Sequence, residues 1–288
     1  MRYAFIRAHA GEFKVCAMCR VLKVSRSGFY EWGQREPSPR SVANQALLQR
    51  IRQIHLASRQ AYGTLKTWRA LREAGETCGK HRVARLRQCH GIEANRLRRF
   101  RSRYAAANSE PPAPNLLNRN FESRRPDRVW AGDVTFIPTR EGMLHLAVLL
   151  DLHSRRVVGW AMSERINQPL VTDALQMAIE HRQPEPGLIH HSDQGAIYAS
   201  GAYRAILKTY GMIPSMSRRG DPYDNAVVES FFANLKNELT WHRTFRTRDE
   251  ARAAIFDYIE VFYNRQRLHQ TLGYVSPMRY ENERATVT

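Results

Sequence analysis

The segment DPYDNAVVESFFANLKNEL, residues 221–239, decides how the second half of this chain folds. Its apolar side chains recur every three or four positions, which is the spacing of one face of an α-helix. An acid, Glu229, borders this apolar stripe, and a lysine, Lys236, follows seven residues later. The pattern predicts a helix that packs against a core and carries charged side chains beside it. The stripe consists of Val228, Phe231, Phe232, Leu235 and Leu239.

Glu229 and Lys236 each have two interpretations. An acid in the first turns of a helix is favoured by the helix dipole by ~0.3–1 kcal/mol and needs no further role. Seven residues are nearly two helical turns, so Lys236 should lie about 20° round the helix from Glu229 and ~10 Å along it. At that distance Lys236 would hold a phosphate close to a reaction at Glu229, unless it is an ordinary surface lysine.

The residues before this helix predict strands first and then alternating helices and strands. From residue 130, the segments WAGDVTFIP, MLHLAVLLD and VVGWAM are rich in β-branched and aromatic residues, which predicts an antiparallel meander. A helix around residues 170–178, a strand LIHHSD, a helix near residues 200–210 and a strand MIPSM follow. This is the order of a ribonuclease-H-like α/β domain, in which a mixed sheet lies between flanking helices.

Three carboxylates fall on these predicted elements. Asp133 lies in the first strand, Asp193 follows the strand LIHH, and Glu229 lies in the first turns of the helix. Carboxylate oxygens suit Mg²⁺ or Mn²⁺, and two such ions ~4 Å apart would assist an in-line displacement at phosphorus. We therefore predict a two-metal site at these acids. The 35 residues between Asp193 and Glu229 carry little weight alone, because Asp224 and Glu260 are spaced equally. Asp224 is expected to cap the helix instead.

Other polar residues near these acids receive structural interpretations. Asp151 ends the second strand and is expected to shape the turn that follows. His190 and His191 stand close to Asp193, where they would either assist its chemistry or pack through hydrogen bonds. No serine or cysteine shows a persuasive nucleophile arrangement, and no Walker-type glycine loop occurs, which disfavours covalent and ATP-driven chemistry.

The positive charge of the chain is concentrated in its first half. The 288 residues carry a formal charge of +18, with a pI near 10.3. Residues 1–128 contain 27 Lys and Arg against 9 Asp and Glu, whereas residues 129–288 contain 18 of each. This division predicts a half that grips a polyanion such as DNA, joined to a half whose acids serve another purpose. An arginine-rich exposed face without a partner is the alternative.

Targeting signals and cysteine content predict the compartment of the protein and the redox state of its cysteines. The sequence shows neither a signal peptide nor the ~18 apolar residues that span a bilayer. We therefore expect a cytoplasmic protein, nucleoid-associated when bound to DNA, with its four cysteines as thiols. The spacing of Cys16 and Cys19, and the cysteines and histidines in residues 78–90, leave zinc open. Both groups fall in helical patterns, where cysteine usually packs as a small hydrophobe.

Two helical pairs in the basic half have the pattern of helix-turn-helix motifs, which place a helix in a DNA groove. In residues 11–33, Ser25 is placed to cap a second short helix and to turn Arg26 outward. In residues 80–92, the apolar positions face inward and the arginines largely outward, although a merely solvated basic face would look the same. The stripes expected to pack in the first pair are Phe13, Cys16, Cys19 and Leu22 with Phe29, Tyr30 and Trp32. The predicted DNA contacts are Arg26, Arg82, Arg85 and Arg87, together with Lys236.

Composition and period divide the chain into five regions. The basic half is all-helical in pattern, and a Pro-containing basic stretch without period separates it from the strands. The predicted regions are a helix-turn-helix-like segment (1–40), a helical DNA-binding domain (41–95), a linker (96–125), the ribonuclease-H-like core (126–243) and a C-terminal helix with a basic tail (244–288).

Five ordered motifs resemble the catalytic subunit of the IS-three-family insertion-sequence transposases, relatives of retroviral integrases. They are WAGDVTFIPT, LLDLHSRRVVGWAMS, HHSDQGAIYAS, DPYDNAVVESFFANLKNEL and FYNRQRLHQTLGYVSP, and the N-terminal helical segments are similar as well. The resemblance implies a D-D-E triad at Asp133, Asp193 and Glu229, with Lys236 in the basic position that follows the glutamate. WAGD departs slightly from the family, because a β-branched residue or threonine often precedes the aspartate.

The resemblance also implies a reaction and partners. The family's reaction is cleavage at the ends of the element, which exposes 3′-hydroxyls that then attack a phosphodiester in DNA, with no covalent protein intermediate expected. A homo-oligomer on DNA is expected, as is fusion by ribosomal frameshifting to a small upstream protein with a helix-turn-helix and a leucine zipper. Two rival functions remain open at this point: a non-enzymatic DNA-binding regulator and a ribonuclease-H-type nuclease.

Overall fold

The computed structural model describes residues 2–95, 113–218 and 222–285. The chain divides into two compact units, residues 1–52 and 53–288. Most of the linker predicted at residues 96–125 lies outside the described residues. Within the described ranges, no helix is both long and apolar enough to cross a membrane.

The first unit is built from short helices. They are α1 (Arg2–Ala8), α2 (Val15–Val21), α3 (Arg26–Gln34) and the beginning of α4 (Pro39–Ala57). Ser25 caps α3 as predicted, because its hydroxyl accepts a hydrogen bond from the backbone N–H of Gly28 at 3.2 Å.

The packing predicted for this unit is partly wrong. Phe29 is buried as expected, but Phe13, Cys16 and Tyr30 are exposed. The core instead includes the fully buried Ile6 of α1. The periodicity of residues 13–22 identifies a helix, but it does not reveal that a third helix shares the core.

The second unit begins with the end of α4, a helical pair and a sheet of five strands in the order β3-β2-β1-β4-β5. The first three strands form the predicted antiparallel meander, and β4 and β5 add in parallel, so the sheet is mixed. The elements are α5 (Thr64–Glu73), α6 (Lys80–Cys89), β1 (Val129–Thr139), β2 (Gly142–Asp151), β3 (Val157–Ser163), α7 (Gln168–Arg182), β4 (Ile189–Ser192), α8 (Ala196–Ala199), α9 (Gly201–Thr209), β5 (Ile213–Met216), α10 (Ala226–Leu235), α11 (Arg248–Phe256) and α12 (Pro277–Ala285).

Two apolar layers cover the two faces of this sheet. Because successive side chains of a strand point to opposite faces, Trp130 enters one layer and Ala131 the other. The layer of Trp130 contains α7, α8 and α9, and the layer of Ala131 contains α10 and α11. The fold is therefore a sheet between helices, as the sequence predicts for a ribonuclease-H-like domain.

The apolar layer of α10 extends past residue 243. Phe245, Ile255 and Tyr258 are fully buried in it. Two π-helical segments, Lys236–Thr240 after α10 and Asp257–Tyr263 after α11, carry the chain through this layer. Their wider turn is visible in hydrogen bonds to the carbonyl five residues earlier, from the backbone N–H of Trp241 to Lys236 and from that of Asn264 to Ile259.

Gly159 in β3 lets α7 lie directly on the sheet. A Cβ at this position would lie 2.2 Å from the carbonyl oxygen of Ala174 and 2.7 Å from the Cβ of Ala178. Because backbone atoms cannot yield as a flexible side chain would, we expect Gly159→Ala to lower the free energy of unfolding by about 2–3 kcal/mol. Denaturant unfolding would measure this, with Gly33→Ala as a control, since a Cβ at Gly33 meets nothing within 4 Å. Equal stability of the two variants would contradict the prediction.

Candidate active site

Strand pairing brings the first two acids together. β1 and β4 run parallel, with Ala131 opposite His191. Continuing this register by two residues places Asp133 opposite Asp193, which follows the last residue of β4. Neighbouring strands lie ~4.8 Å apart, and paired residues point to the same face. The two carboxylates therefore start from adjacent positions on one face of the sheet.

The third acid lies on the helix that covers this face. Ala131 is buried in the layer of α10, and Asp133, two residues later in the strand, faces the same layer. The side-chain amide of Asn225 donates a hydrogen bond to the carbonyl of Gly132 at 3.4 Å. This bond fixes the start of α10, and with it Glu229, beside the strand position of Asp133.

The three carboxylates affect one another electrostatically. Burial raises the pKa of Asp133 well above its usual value, and the nearby charges of Asp193 and Glu229 raise this pKa further. A hydrogen bond from the backbone N–H of Val134 and the charge of Lys236 act in the opposite direction. Burial also raises the pKa values of Asp193 and Glu229. The charges of the three acids are therefore coupled, and ionising all three at once is costly.

The chemistry of this donor set fits hard divalent cations. One oxygen of Asp133 accepts the Val134 N–H at 2.7 Å, and one oxygen of Asp193 accepts the Gly195 N–H at 2.9 Å. These bonds orient each carboxylate and leave its second oxygen for a ligand. Within residues 2–95, 113–218 and 222–285, no three acid, histidine or cysteine side chains converge closely enough to form a finished metal cage. A shared metal site at the three acids stays a prediction, and a cation there would have to draw the carboxylates closer against their mutual repulsion.

Lys236 is buried beside the acids, with its Nζ 5.0 Å from the ring centroid of Phe136. Burial lowers the pKa of Lys236 to about 8, although the neighbouring charge of Asp133 opposes this shift. The sequence placed this lysine two helical turns from Glu229, but the helix ends at Leu235 and Lys236 opens a π-helical segment. The structure therefore directs its charge toward Asp133. A contact from Lys236 to DNA stays a prediction.

The arginines predicted to contact DNA differ in exposure. Arg26 and Arg85 are exposed, and Arg82 is half-buried. The outward orientation predicted for Arg87 is wrong. Its side chain is only 4% exposed, and its Nη1 donates a hydrogen bond to the hydroxyl of Thr67 at 2.9 Å, so it joins α6 to α5. Arg87 is thus a structural residue of the helical pair.

Two residues near the site have contacts that the sequence did not predict. Tyr198 of α8 is buried, and the charges of Asp133 and Asp193 contribute to raising its pKa, after burial and Tyr203. The carboxyl of Asp224 does not cap α10 as expected. It accepts hydrogen bonds from Arg218 and from Asn115, which hold the approach to α10 in place. Asn115 is distant in sequence, so no local pattern reveals this contact.

The structural interpretations of the neighbouring polar residues are confirmed. Asp151 shapes its turn by accepting hydrogen bonds from the backbone N–H groups of His153 and Ser154. His190 is fully surrounded, bonds the hydroxyl of Tyr203 at 2.8 Å, and has its pKa lowered to about 3 by burial. The ring of His191 bonds Ser215, Ser217 and the carbonyl of Asp224. Both histidines therefore pack through hydrogen bonds beneath the site.

Asp133→Asn should stabilise the metal-free protein at neutral pH. Because folding raises the pKa of Asp133, its ionised form weakens the fold, and this effect develops as the pH rises above the unfolded value of ~3.9. We expect a gain of about 1 kcal/mol at pH 7 that shrinks toward pH 4. Thermal unfolding in EDTA at both pH values checks this, with the exposed Asp173 changed to Asn as a control. A lower Tm for Asp133→Asn at pH 7 would contradict the argument.

Comparison with known proteins agrees with this architecture. The chain matches the model of the integrase core domain at residues 123–222, a second integrase core domain model at residues 229–284, and an HTH-like domain at residues 43–100. The catalytic core domain of HTLV-2 integrase, solved with magnesium, is 17% identical, with a TM-score of 0.43 over 55% of this chain and 98% of that one.

Sequence relatives extend over almost the whole chain. Transposase InsF of the insertion sequence IS3fB from Escherichia coli K12 is 42% identical over 98% of this chain and 99% of its own length. A 31 kDa protein of the insertion element IS600 from Shigella sonnei is 43% identical over 92% of this chain and 98% of its own. The predicted resemblance is thereby confirmed, and the chain belongs to the IS3 family of insertion-sequence transposases, with an HTH-like domain ahead of an integrase core.

Proposed function

We propose that this DNA transposase joins strands through divalent cations held by Asp133, Asp193 and Glu229. The observation that carries the proposal is the β1–β4 register, because continuing it by two residues would set Asp133 beside Asp193 on the face that α10 covers. Mg²⁺, or Mn²⁺ in its place, would bind as two ions and polarise the oxygens of an in-line displacement at phosphorus. The D-D-E assignment comes from the motifs and is supported by the shared electrostatics of the three acids.

The residues of the chain have distinct roles in this proposal. The three acids would hold divalent cations next to the phosphodiester. Backbone hydrogen bonds orient the carboxylates of Asp133 and Asp193. Lys236 offsets part of the negative charge of Asp133 from within the protein. The substrate supplies the nucleophile, a 3′-hydroxyl of the element end, so that no side chain becomes covalently attached to DNA.

The basic helical half would supply the grip on DNA. Arg26 and Arg85 are exposed on helices and are free of the structural role found for Arg87. Phosphate contacts of this kind position a protein without reading sequence. We also propose that the active form is a homo-oligomer on DNA, joined through a frameshift fusion to an upstream helix-turn-helix and leucine-zipper partner.

A strand-transfer assay tests the proposal. The purified protein, alone and fused to the product of the upstream reading frame, is incubated with labelled duplexes from the borders of its gene, ending in free 3′-hydroxyls, and with a target plasmid. Mg²⁺ should yield labelled DNA joined to the plasmid, and EDTA should prevent joining. Shortened DNA without joined products would favour the nuclease alternative, and bound but unchanged DNA would favour the regulator.

A further inference from the structure

A cavity of about 160 Å³ lies against α10, where Ala226, Val227, Ser230 and Phe231 line it. Its apolar floor includes Leu150 and Phe231, and its polar side chains are those of Arg155, Ser230, Tyr263, His269 and Thr271. Ser230 and Thr271 are exposed, so the cavity opens to solvent at these two hydroxyls. One water needs ~10–15 Å³ of such volume, so the cavity has room for a hydrated group of several atoms.

Arg155 gives the cavity its charge. It lies in the turn between β2 and β3, where its Nη2 donates a hydrogen bond to the carbonyl of Phe121 at 3.3 Å. Its Nη1 is buried and has no hydrogen-bond partner among the residues that the structure describes. Asp151 lies in the same turn, but its carboxyl is occupied by backbone N–H groups. A buried guanidinium nitrogen without an acceptor is costly, and an anion in the cavity would satisfy it.

The surroundings of the cavity are positive as well. No carboxylate is among its lining residues. Burial and the charges of Arg267, Lys66 and Arg155 lower the pKa of His269 to about 3, so this ring is neutral. The nearby Glu238 is bound by Arg267 through both of its carboxylate oxygens. The cavity therefore offers a cation, the hydroxyls of Ser230, Tyr263 and Thr271, and no competing acid, a set of groups that suits a phosphate.

The floor of the cavity lies close to Asp133 in the sheet. Leu150 in its floor pairs with Ala131, two residues before Asp133. Two residues along a strand and one strand spacing together give a distance of ~8 Å. Each nucleotide of a DNA strand rises ~3.4 Å, so this distance corresponds to about two nucleotides.

From this placement we propose that the cavity holds a backbone phosphate of the DNA strand that reacts at the acids, with Arg155 as its cationic ligand. The inference rests on the proposed function and specifies how that strand is positioned. The phosphate contact would hold the strand in register with the acids, two nucleotides from the reacting phosphodiester.

DNA binding in EDTA tests the proposal apart from catalysis. The probe is a fluorescein-labelled duplex from the border of the gene, followed by fluorescence anisotropy between 50 and 200 mM salt. Arg155→Gln should weaken binding about 3- to 10-fold and reduce the salt slope by ~0.7–0.9, the change for one phosphate contact. Lys208→Gln, which removes an exposed charge from α9 on the opposite layer, should do neither. Equal effects of the two variants would overturn the proposal.

A second pair of variants covers the case in which Arg155→Gln fails to fold. Thr271→Glu places a negative charge at the exposed rim and should weaken binding about 10-fold, whereas Gln270→Glu, one residue outside the cavity, should have a much smaller effect. Inorganic phosphate is a separate probe of the cavity. If it raised the thermal stability of the protein while the variants bound DNA unchanged, free phosphate would be the ligand and the DNA assignment would be overturned. Unchanged binding by all variants, with strand transfer intact in the unmodified protein, would reject this cavity and leave the proposed function standing.

Discussion

Glu229→Gln should abolish Mg²⁺-dependent strand transfer while leaving DNA binding intact. The amide has the shape of the carboxylate, so α10 and its apolar stripe keep their packing. It lacks the negative charge that a hard cation requires from its third ligand. Losing ~4 kcal/mol of stabilisation in the transition state corresponds to a rate about 10³-fold lower.

The measurement is the rate of joined-product formation at saturating Mg²⁺, beside anisotropy with the same labelled DNA. Glu180→Gln is the matched control, because Glu180 is an exposed glutamate of α7 on the opposite layer. We expect this control to retain the full rate. If Glu229→Gln transferred strands within a few-fold of the unmodified protein, Glu229 would not be the third acid.

Arg267→Met should destabilise the protein by about 3–5 kcal/mol, the cost of leaving a buried charge without its partner. Arg267 donates three hydrogen bonds of 2.7–3.0 Å to Glu238, and Tyr258 donates a fourth at 2.8 Å. Both members of the ion pair are buried. Removing the arginine leaves Glu238, within the described residues, with the hydroxyl of Tyr258 as its one remaining side-chain hydrogen-bond donor, inside the apolar layer of α10.

Chemical denaturation measures this change, with Arg279→Met as the matched control. Arg279 is exposed and pairs with Glu73 and Glu283 at the surface, so its loss should cost less than ~1 kcal/mol. Replacing both buried partners, Arg267→Met with Glu238→Leu, should recover part of the stability, because an apolar pair leaves no unpaired charge. Similar losses for the two arginines would show that burial of the ion pair does not matter.

The fold could be predicted from the sequence wherever the apolar residues follow a single helix or strand periodicity. The three strands after residue 130 and the stripe of α10 have unambiguous periods, and the structure has both. The π-helical segments were not predicted, because π-helices are rare and no local pattern in these residues indicates one. In the sequence, the motif FYNRQRLHQTLGYVSP indicated only the family resemblance. The ion pair between its Arg267 and Glu238 became visible only in the structure.

The candidate site was more predictable than the DNA-contacting residues. Acids on β1, after β4 and on α10 stood out because their neighbours are apolar, and ionised groups there need a reason. Arginine is different, since its long stem packs against apolar surface while its head finds a partner. Arg87 follows the same local pattern as Arg85, and only the hydroxyl of Thr67, on the preceding helix, separates their roles.

The parallel pairing of β1 with β4 limits which insertions and deletions this protein can tolerate. Inserting one residue into β1 between Ala131 and Asp133 would rotate the aspartate to the opposite side of the sheet, into the layer of Trp130. The 35 residues that separate Asp193 from Glu229 include α8, α9 and β5, whose buried side chains fill the layer of Trp130, so a change in length there must leave these elements in place. Among relatives, natural variation in length should therefore spare the short stretch of β1 that leads to Asp133.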